Sequence, residues 1–357
     1  MMSELSDKYY DFVTPDLKIF LDGKNIASEG ISVSEIEVER IRNGASSFRM
    51  IIPEALDVEF NPKYEDIFKF GSEIQIKLGY KDSFEIVFTG VITSLSYHFE
   101  EENFLDLEVE GYDYLFLMIK NKRSVSWKST TIADIVSDIA RAYPFSEVDV
   151  ESTNLPFDQI RQENESDFLF IKRLSQRVGY EFFVTETGKF VFRSLRLNQS
   201  PELTLTFGNE LIFFKPMLDL SQVVNKVVVK GWNPETKQEV VGVASSGDEI
   251  NVETSGEKGT KIVLESLKVP VVHEIRASVE TQEEADEFAR SILNELSLKY
   301  FKGTCTTVGL PDIKPGIVLK FQGLGEKFSR KYYVEKVVHK FGDNGFTTKF
   351  EVRGNLL

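Results

Sequence analysis

The sequence predicts a mainly β protein with α+β insertions: two similar small antiparallel β-barrel domains, the second discontinuous, plus a small α+β domain. Three observations carry this prediction. Phenylalanine occurs 29 times against 2 Trp, and many of these rings stand at alternating positions that suit half-buried strands. Two distant segments, Gly71–Gly111 and Gly316–Gly354, repeat one alternation and one glycine punctuation. Helical spacing is confined to a few short stretches with recognisable caps. With 357 residues the chain exceeds one ordinary core, so several domains are expected.

From the N-terminus, Asp16–Leu21, Ile31–Arg40 and Ser47–Ile52 read as strands, and Pro53, Asn61-Pro62 and Gly71 punctuate the loop after them. In the first repeat Ile74, Ile76 and Leu78 alternate, then Phe84–Phe88 forms a second strand. A third ends at Tyr97, His98 and Phe99, and Phe104, Leu107 and Val109 return after an acidic hairpin tip, Glu100–Glu102. These parts make residues 1–115 the first β-barrel domain. Residues 116–199 form the α+β domain. Its first helix is capped by Thr130 or Thr131, carries Ile132, Ile135, Val136 and Ile139, and stops before Pro144.

Strands resume at Thr204–Phe207, Ile212–Lys215 and Val223–Gly231, and residues 200–240 with 300–357 are assigned to the second barrel. Residues 241–299 are a β excursion and a helix inserted in it. Glycine, serine and acidic residues over Asn233–Thr260 suggest a hairpin or a mobile loop. Thr281 to Glu284 has the order of a capping box, ahead of the stripe Ala285, Phe288, Ala289, Ile292, Leu293 and Leu296. The final repeat alternates Ile317, Leu319 and Phe321, turns at Gly323-Leu324-Gly325, and continues through Lys331–Val334 to His339 and Phe341, then Phe346, Phe350 and Val352.

The formal charge of −15 argues against ordinary nucleic-acid binding, which needs a basic face to replace counterions. The lone Cys305 excludes an internal disulfide and reads as a small buried strand residue. No apolar run approaches the roughly 20 residues that span a bilayer, and MMSELSDKYYDF lacks the pattern of a secretory signal. A soluble protein made in a reducing compartment is expected. No HExxH, GxSxG or paired His/Cys arrangement is present, and His98, His273 and His339 are isolated. The expectation is therefore no enzyme, no metal and no cofactor.

The segment Gln162–Phe183 reads as a polar approach, a short amphipathic helix capped by Asn164 or Ser166, a stop at Gly179 and an aromatic strand. Its order of Gln162, Glu165, Ser166, Asp167, Phe168, Phe170, Arg173, Leu174, Gly179 and Phe182 resembles a signature of the late control D family. These are baseplate hub proteins of contractile phage tails, related to the N-terminal hub part of the type VI secretion spike proteins called VgrG. The resemblance covers most of the chain, weakly outside this motif and the last 50 or so residues.

It implies a structural hub of a phage tail, tailocin or related injection system. Three copies, each with two barrels, would form a pseudo-sixfold ring joining a hexameric tail tube to a trimeric central spike. Implied partners are the chain itself, the tube protein, the spike, other baseplate proteins and the tape measure protein, with DNA only as passing cargo and no membrane insertion. Because the chain ends at Leu357, the puncturing and wall-degrading elements are expected on separate proteins. Tube-facing contacts are expected at Tyr97, His98 and Phe99 and at Val338, His339 and Phe341. Gln162, Glu165, Asp167 and Arg173 are expected at an intra- or inter-subunit junction. The alternatives are a wall-binding or wall-degrading tail protein, and a tail tube subunit.

Overall fold

The computed structural model describes residues 4–99 and 106–357; the expected hairpin tip Glu100–Glu102 and the strand start at Phe104 lie outside the described residues. The chain is mainly β, as its alternation predicts. After helix α1 (Glu4–Lys8) come β1 (Pro15–Leu21), β2 (Lys24–Asn25), β3 (Glu35–Ile41), β4 (Ser47–Ile52), β5 (Glu73–Tyr80), β6 (Ser83–His98) and β7 (Asp106–Tyr112). Alternation sets their faces: in β3, Ile36 and Val38 are buried while Glu35, Glu37 and Glu39 point outward.

A middle lobe follows, with α2 (Leu115–Lys120), β8 (Lys122–Thr131), α3 (Ile132–Ala140), β9 (Val148–Val150), β10 (Pro156–Ser166), α4 (Asp167–Val178), β11 (Tyr180–Val184) and β12 (Phe190–Ser194). Thr131 and Asp134 make a reciprocal capping box on α3. Ser166 caps α4, and Gly179 ends it at φ 65. The stretch before α4, read as a polar approach, is instead the end of β10, paired antiparallel to β8. Strand β8 left little trace in the sequence, because Val125 and Trp127 are the only apolar side chains among its serines, threonines and basic residues.

The chain then adds β13 (Leu203–Thr206) and β14 (Leu211–Leu218). A third lobe comes next, made of β15 (Lys226–Asn233), β16 (Gln238–Ser245), β17 (Val272–Arg276) and α6 (Gln282–Ser297), while α5 (Gly259–Leu267), between β16 and β17, packs Val263 into the core of the large sheet. The chain finishes with β18 (Phe301–Val308), β19 (Val318–Gln322), a one-turn α7 (Gly325–Phe328), β20 (Lys331–Gly342) and β21 (Gly345–Gly354).

Thirteen of these strands form one sheet. Within it the order β3-β4-β7-β6-β5 is repeated as β14-β18-β21-β20-β19, giving two five-stranded modules of the same connectivity. The likeness extends to single hydrogen bonds. Gly71 (φ 83) donates its N–H to Ile92 O at 2.9 Å, and Gly316 (φ 85) donates to Val334 O at 2.9 Å. Both backbones need the left-handed region that glycine enters without strain. Each long strand then bulges at a matching place, β6 between Ile92 and Ser94 and β20 between Val334 and Lys336, and β6 has a further bulge at Val87. The modules differ at the sixth strand, where β1 runs antiparallel to β5 but β13 runs parallel to β19.

The two modules are joined by β20, whose residues Lys336–Phe341 pair with β3 from Ile41 back to Ile36. One hydrophobic core therefore crosses the seam, from Ile36, Met50, Ile74 and Val109 to Phe321, Tyr332, Val337 and Phe350. The expected second domain needs one correction. Of residues 200–240, only β13 and β14 enter this sheet; β15 pairs with β16 and β17 in a separate three-stranded sheet. The reason is packing: Val227 and Val229 are buried against Ala285, Ala289 and Leu293 of α6.

Helix α6 begins with half of the expected capping box. Thr281 accepts from Glu284 N, while the Glu284 carboxylate turns to Glu280 N and to Arg177 of α4. It lies so close on β16 that a Cβ on Gly242 would stand 2.1 Å from the Ala285 carbonyl. We expect Gly242→Val to lower stability by about 3 kcal/mol in urea unfolding, by forcing α6 off its sheet. An unchanged midpoint would show that this contact is loose.

Candidate functional site

The signature residues of the middle lobe converge on one carboxylate. Asp167, the first residue of α4, is fully buried. Its Oδ1 accepts from Arg123 Nε at 2.7 Å and from Gln162 Nε2 at 2.8 Å, and its Oδ2 accepts from Tyr143 OH at 2.6 Å. The carboxylate thus ties β8, β10, α4 and the turn after α3 into one body. Burial, then the bond to Asp167, pushes the Tyr143 phenol up to about 12. Glu165 and Arg173 form a second, more exposed pair at 2.5 Å, and Arg173 also donates to Arg161 O. All four expected junction residues therefore join parts of the same chain.

The expected contact at Val338–Phe341 lies in the seam between the modules. Val338 stands opposite Glu39 on one side and Lys349 on the other, so β20 has no open edge there. His339 is fully buried, with Nδ1 3.0 Å from Thr348 Oγ1. Burial, aided by the charge of Arg40, lowers its pKa to about 3, which keeps the ring neutral. The contact role expected for His339 is corrected: alternation from Val337 turns its side chain inward. Phe341 is half-buried against the same core and pairs with Ile36.

On the outward side of this seam, Lys336 Nζ meets Glu39 at 2.7 Å and Lys340 Nζ meets Glu35 at 3.0 Å. At its end a charged knot joins all parts of the molecule. Buried Arg42 donates to both oxygens of Glu295 on α6, at 2.9 and 3.2 Å, and lies 4.0 Å from Glu335 of β20. Burial opposes the charge on Arg42, but Glu295, Tyr333 and Glu181 together outweigh it and hold the pKa above the ordinary arginine value. The Tyr333 hydroxyl donates to buried Glu181 of the middle lobe, which also accepts from Arg193 at 2.9 Å.

Tyr97 and His98 end β6, and Phe99 follows it, beyond the reach of β5, whose pairing stops at Val91. Tyr97 is half-buried under the module, His98 is exposed with Nε2 3.3 Å from Glu108, and Phe99 is 64% exposed. Among the described residues, β6 from Ser94 to His98 pairs only with β7. Sequence reasoning did not single out a second exposed apolar feature, strand β14, whose one partner strand among the described residues is β18, so that it ends the large sheet. Ile212, Phe213, Met217 and Leu218 on it are each roughly half exposed. The signal was present in LIFFKPML, an apolar run without alternation, which an ordinary one-faced strand does not need. Among the described residues no group of three or more His, Cys, Asp or Glu side chains is placed to hold a metal ion.

This arrangement is the fold of phage tail proteins. The 43 kDa tail protein of prophage MuSo2 from Shewanella oneidensis superposes with TM-score 0.72 at 13% identity, covering 95% of this chain and 98% of that one. The tail protein from Neisseria meningitidis MC58 gives 0.73 at 14% identity, with 96% and 97% covered. A type VI secretion component, the E. coli c3393 protein, gives 0.61 at 13% identity, covering 94% of this chain and 76% of that one. Among protein families, the model of the Alg8 N-terminal domain matches residues 11–343, and the chain belongs to that family. No curated protein matches it.

Two tests follow from this chemistry. Asp167→Ala should cost about 3 kcal/mol in urea unfolding, since it takes the acceptor from buried Gln162 and from the partly buried Arg123 and Tyr143, whereas the more exposed Arg173→Ala should cost under about 1 kcal/mol. Equal effects would mean that Asp167 is not the organising group. For His339, the unfolded ring binds a proton below about pH 6.5 while the folded one does not until about 3. Its contribution to stability is therefore complete above 6.5 and lost as pH falls toward 3, with a slope of up to about 1.4 kcal/mol per pH unit. His339→Gln should flatten the decline of melting temperature between pH 6.5 and 4; an unaltered slope would show that this ring does not carry it.

Proposed function

We propose that this chain is a non-enzymatic baseplate hub of the late control D kind, in a phage tail, tailocin or related injection system. Three copies would form a ring that joins a hexameric tube to a trimeric spike. The observation that carries the reading is the repeated strand order, β3-β4-β7-β6-β5 and β14-β18-β21-β20-β19, laid side by side in one sheet. Each chain then offers two near-equivalent positions, so threefold assembly supplies six. Tail proteins and a type VI secretion component with this fold support the setting. The partners on this reading are the chain itself, the tube and spike proteins, other baseplate proteins and the tape measure protein, with DNA only as cargo.

The seam between modules changes where contacts with other proteins fall. Val338 and Phe341 serve the internal joint, which leaves the β6 end at Tyr97–Phe99 as the assembly contact of the expected set. An acidic surface, −15 overall, also suits a channel through which a polyanion passes without sticking. A reconstruction of the particle containing this chain should show three copies per ring, with the two modules alternating around the axis. Six copies per ring would instead make it a tube subunit, and peptidoglycan cleavage by the purified chain would overturn the non-enzymatic reading.

A further inference from the structure

The internal joint carries a template for the joint between chains. Each module has one edge of the β3/β14 kind and one free half-strand of the β6/β20 kind. Inside the chain, β3 of the first module takes the half of β20 beyond its bulge. The corresponding half of β6 has no second partner among the described residues, and β14, the counterpart of β3, has among them no outer-side partner beyond a single bridge from Leu211 to Phe207.

Resting on the ring proposed above, we infer that β14 of one copy pairs antiparallel with the Ser94–His98 half of β6, and with Phe99 after it, in the next copy, in the register that β3 keeps with β20. The register follows from the ladders. Glu39 pairs with Ser47, Ser47 with Tyr112, and Tyr112 with Val91, two residues before the bulged Thr93. Met217 pairs with Lys302, Lys302 with Arg353, and Arg353 with Tyr333, two residues before the bulged Glu335. Met217 is therefore the counterpart of Glu39. Ser96 follows Thr93 by the interval at which Val338 follows Glu335. Since Glu39 faces Val338, Met217 faces Ser96 of the neighbouring copy, and Leu218 faces Leu95.

The side chains fit this division. The internal seam is closed outside by Lys336–Glu39 and Lys340–Glu35. At the β14 positions matching Glu39 and Glu35 stand Met217 and Phe213, half exposed in the single chain. A long apolar edge left open would invite indiscriminate strand pairing, so a dedicated strand is the cover it calls for. Pro216 offers no N–H, and the ladder opposite Tyr97 forgoes one donor. The contact is head-to-tail, and its rotation decides whether it closes as a ring or runs on as a filament.

The test is the double variant Ser96→Cys with Met217→Cys, oxidised by copper phenanthroline and resolved on a non-reducing gel, beside each single variant and the wild type. Directly opposed Cβ atoms lie about 4.5–5.5 Å apart, close to the span a disulfide bridges. Cys305 is buried and does not compete. Reduced circular dichroism spectra matching the wild type establish that the variants fold. The expected result is a covalent trimer from the double variant and no covalent product from either single one. If the wild type is trimeric by light scattering but the double variant does not cross-link, the strand pairing is wrong and the hub reading stands. Cross-linked products continuing past three copies keep the pairing and remove the closed ring. A wild type that stays monomeric at every concentration, with no cross-link, overturns both.

Discussion

A charged side chain buried where several parts of a molecule meet cannot be separated from its partner without a penalty of several kcal/mol. Arg42 is in that position. It follows β3, its backbone N–H donates to Glu335 O at 3.2 Å, and its guanidinium holds Glu295 of α6. Beside it, Asn43 exchanges hydrogen bonds with Phe182 of the middle lobe. Four consecutive residues, Arg40 to Asn43, thus bind the two β modules, the middle lobe and the α6 lobe. The pairing of β3 with β20 and the continuous core beneath it fix the modules as one rigid pair.

On the proposed ring reading, that rigidity has a direct consequence. If the modules hinged freely, the near-equivalence of their strand orders would have no geometric consequence, since each could adopt any angle to its neighbour. Held through a shared ladder, they present two similar surfaces at one fixed rotation. The middle lobe is stiffened in its own way, by Asp167 and its three donors. The contact of Arg177 with Glu284 and the Ser278 carbonyl then braces α4 against the start of α6.

The surface chemistry divides in a corresponding way. Inside the chain the joint between modules is dressed with lysine–glutamate pairs, which tolerate water and suit a seam that never opens. The matching outer edge on β14 carries Phe213, Met217 and Leu218, half exposed in the single chain, which the proposed strand would bury. Sequence alternation could not separate these two edges, because both strands belong to the same kind of module.

What the sequence determined by itself was local. Caps at Thr131 and Ser166, the stop at Gly179, the left-handed glycines before β5 and β19, and the alternating faces of most strands all depend on residues within a few positions of each other. The second repeat was visible for the same reason, although glycine punctuation set Gly111 against Gly354 where the ladders set it against Val352. Tertiary structure decided which strand lies beside which. Period-two patterning says which face of a strand is buried and nothing about its neighbour. So β15 could leave the second module for α6, β20 could take β3 as a partner, and His339 could sink from an expected contact into the interior. Those choices rest on packing between residues far apart in the chain, and no local pattern records them.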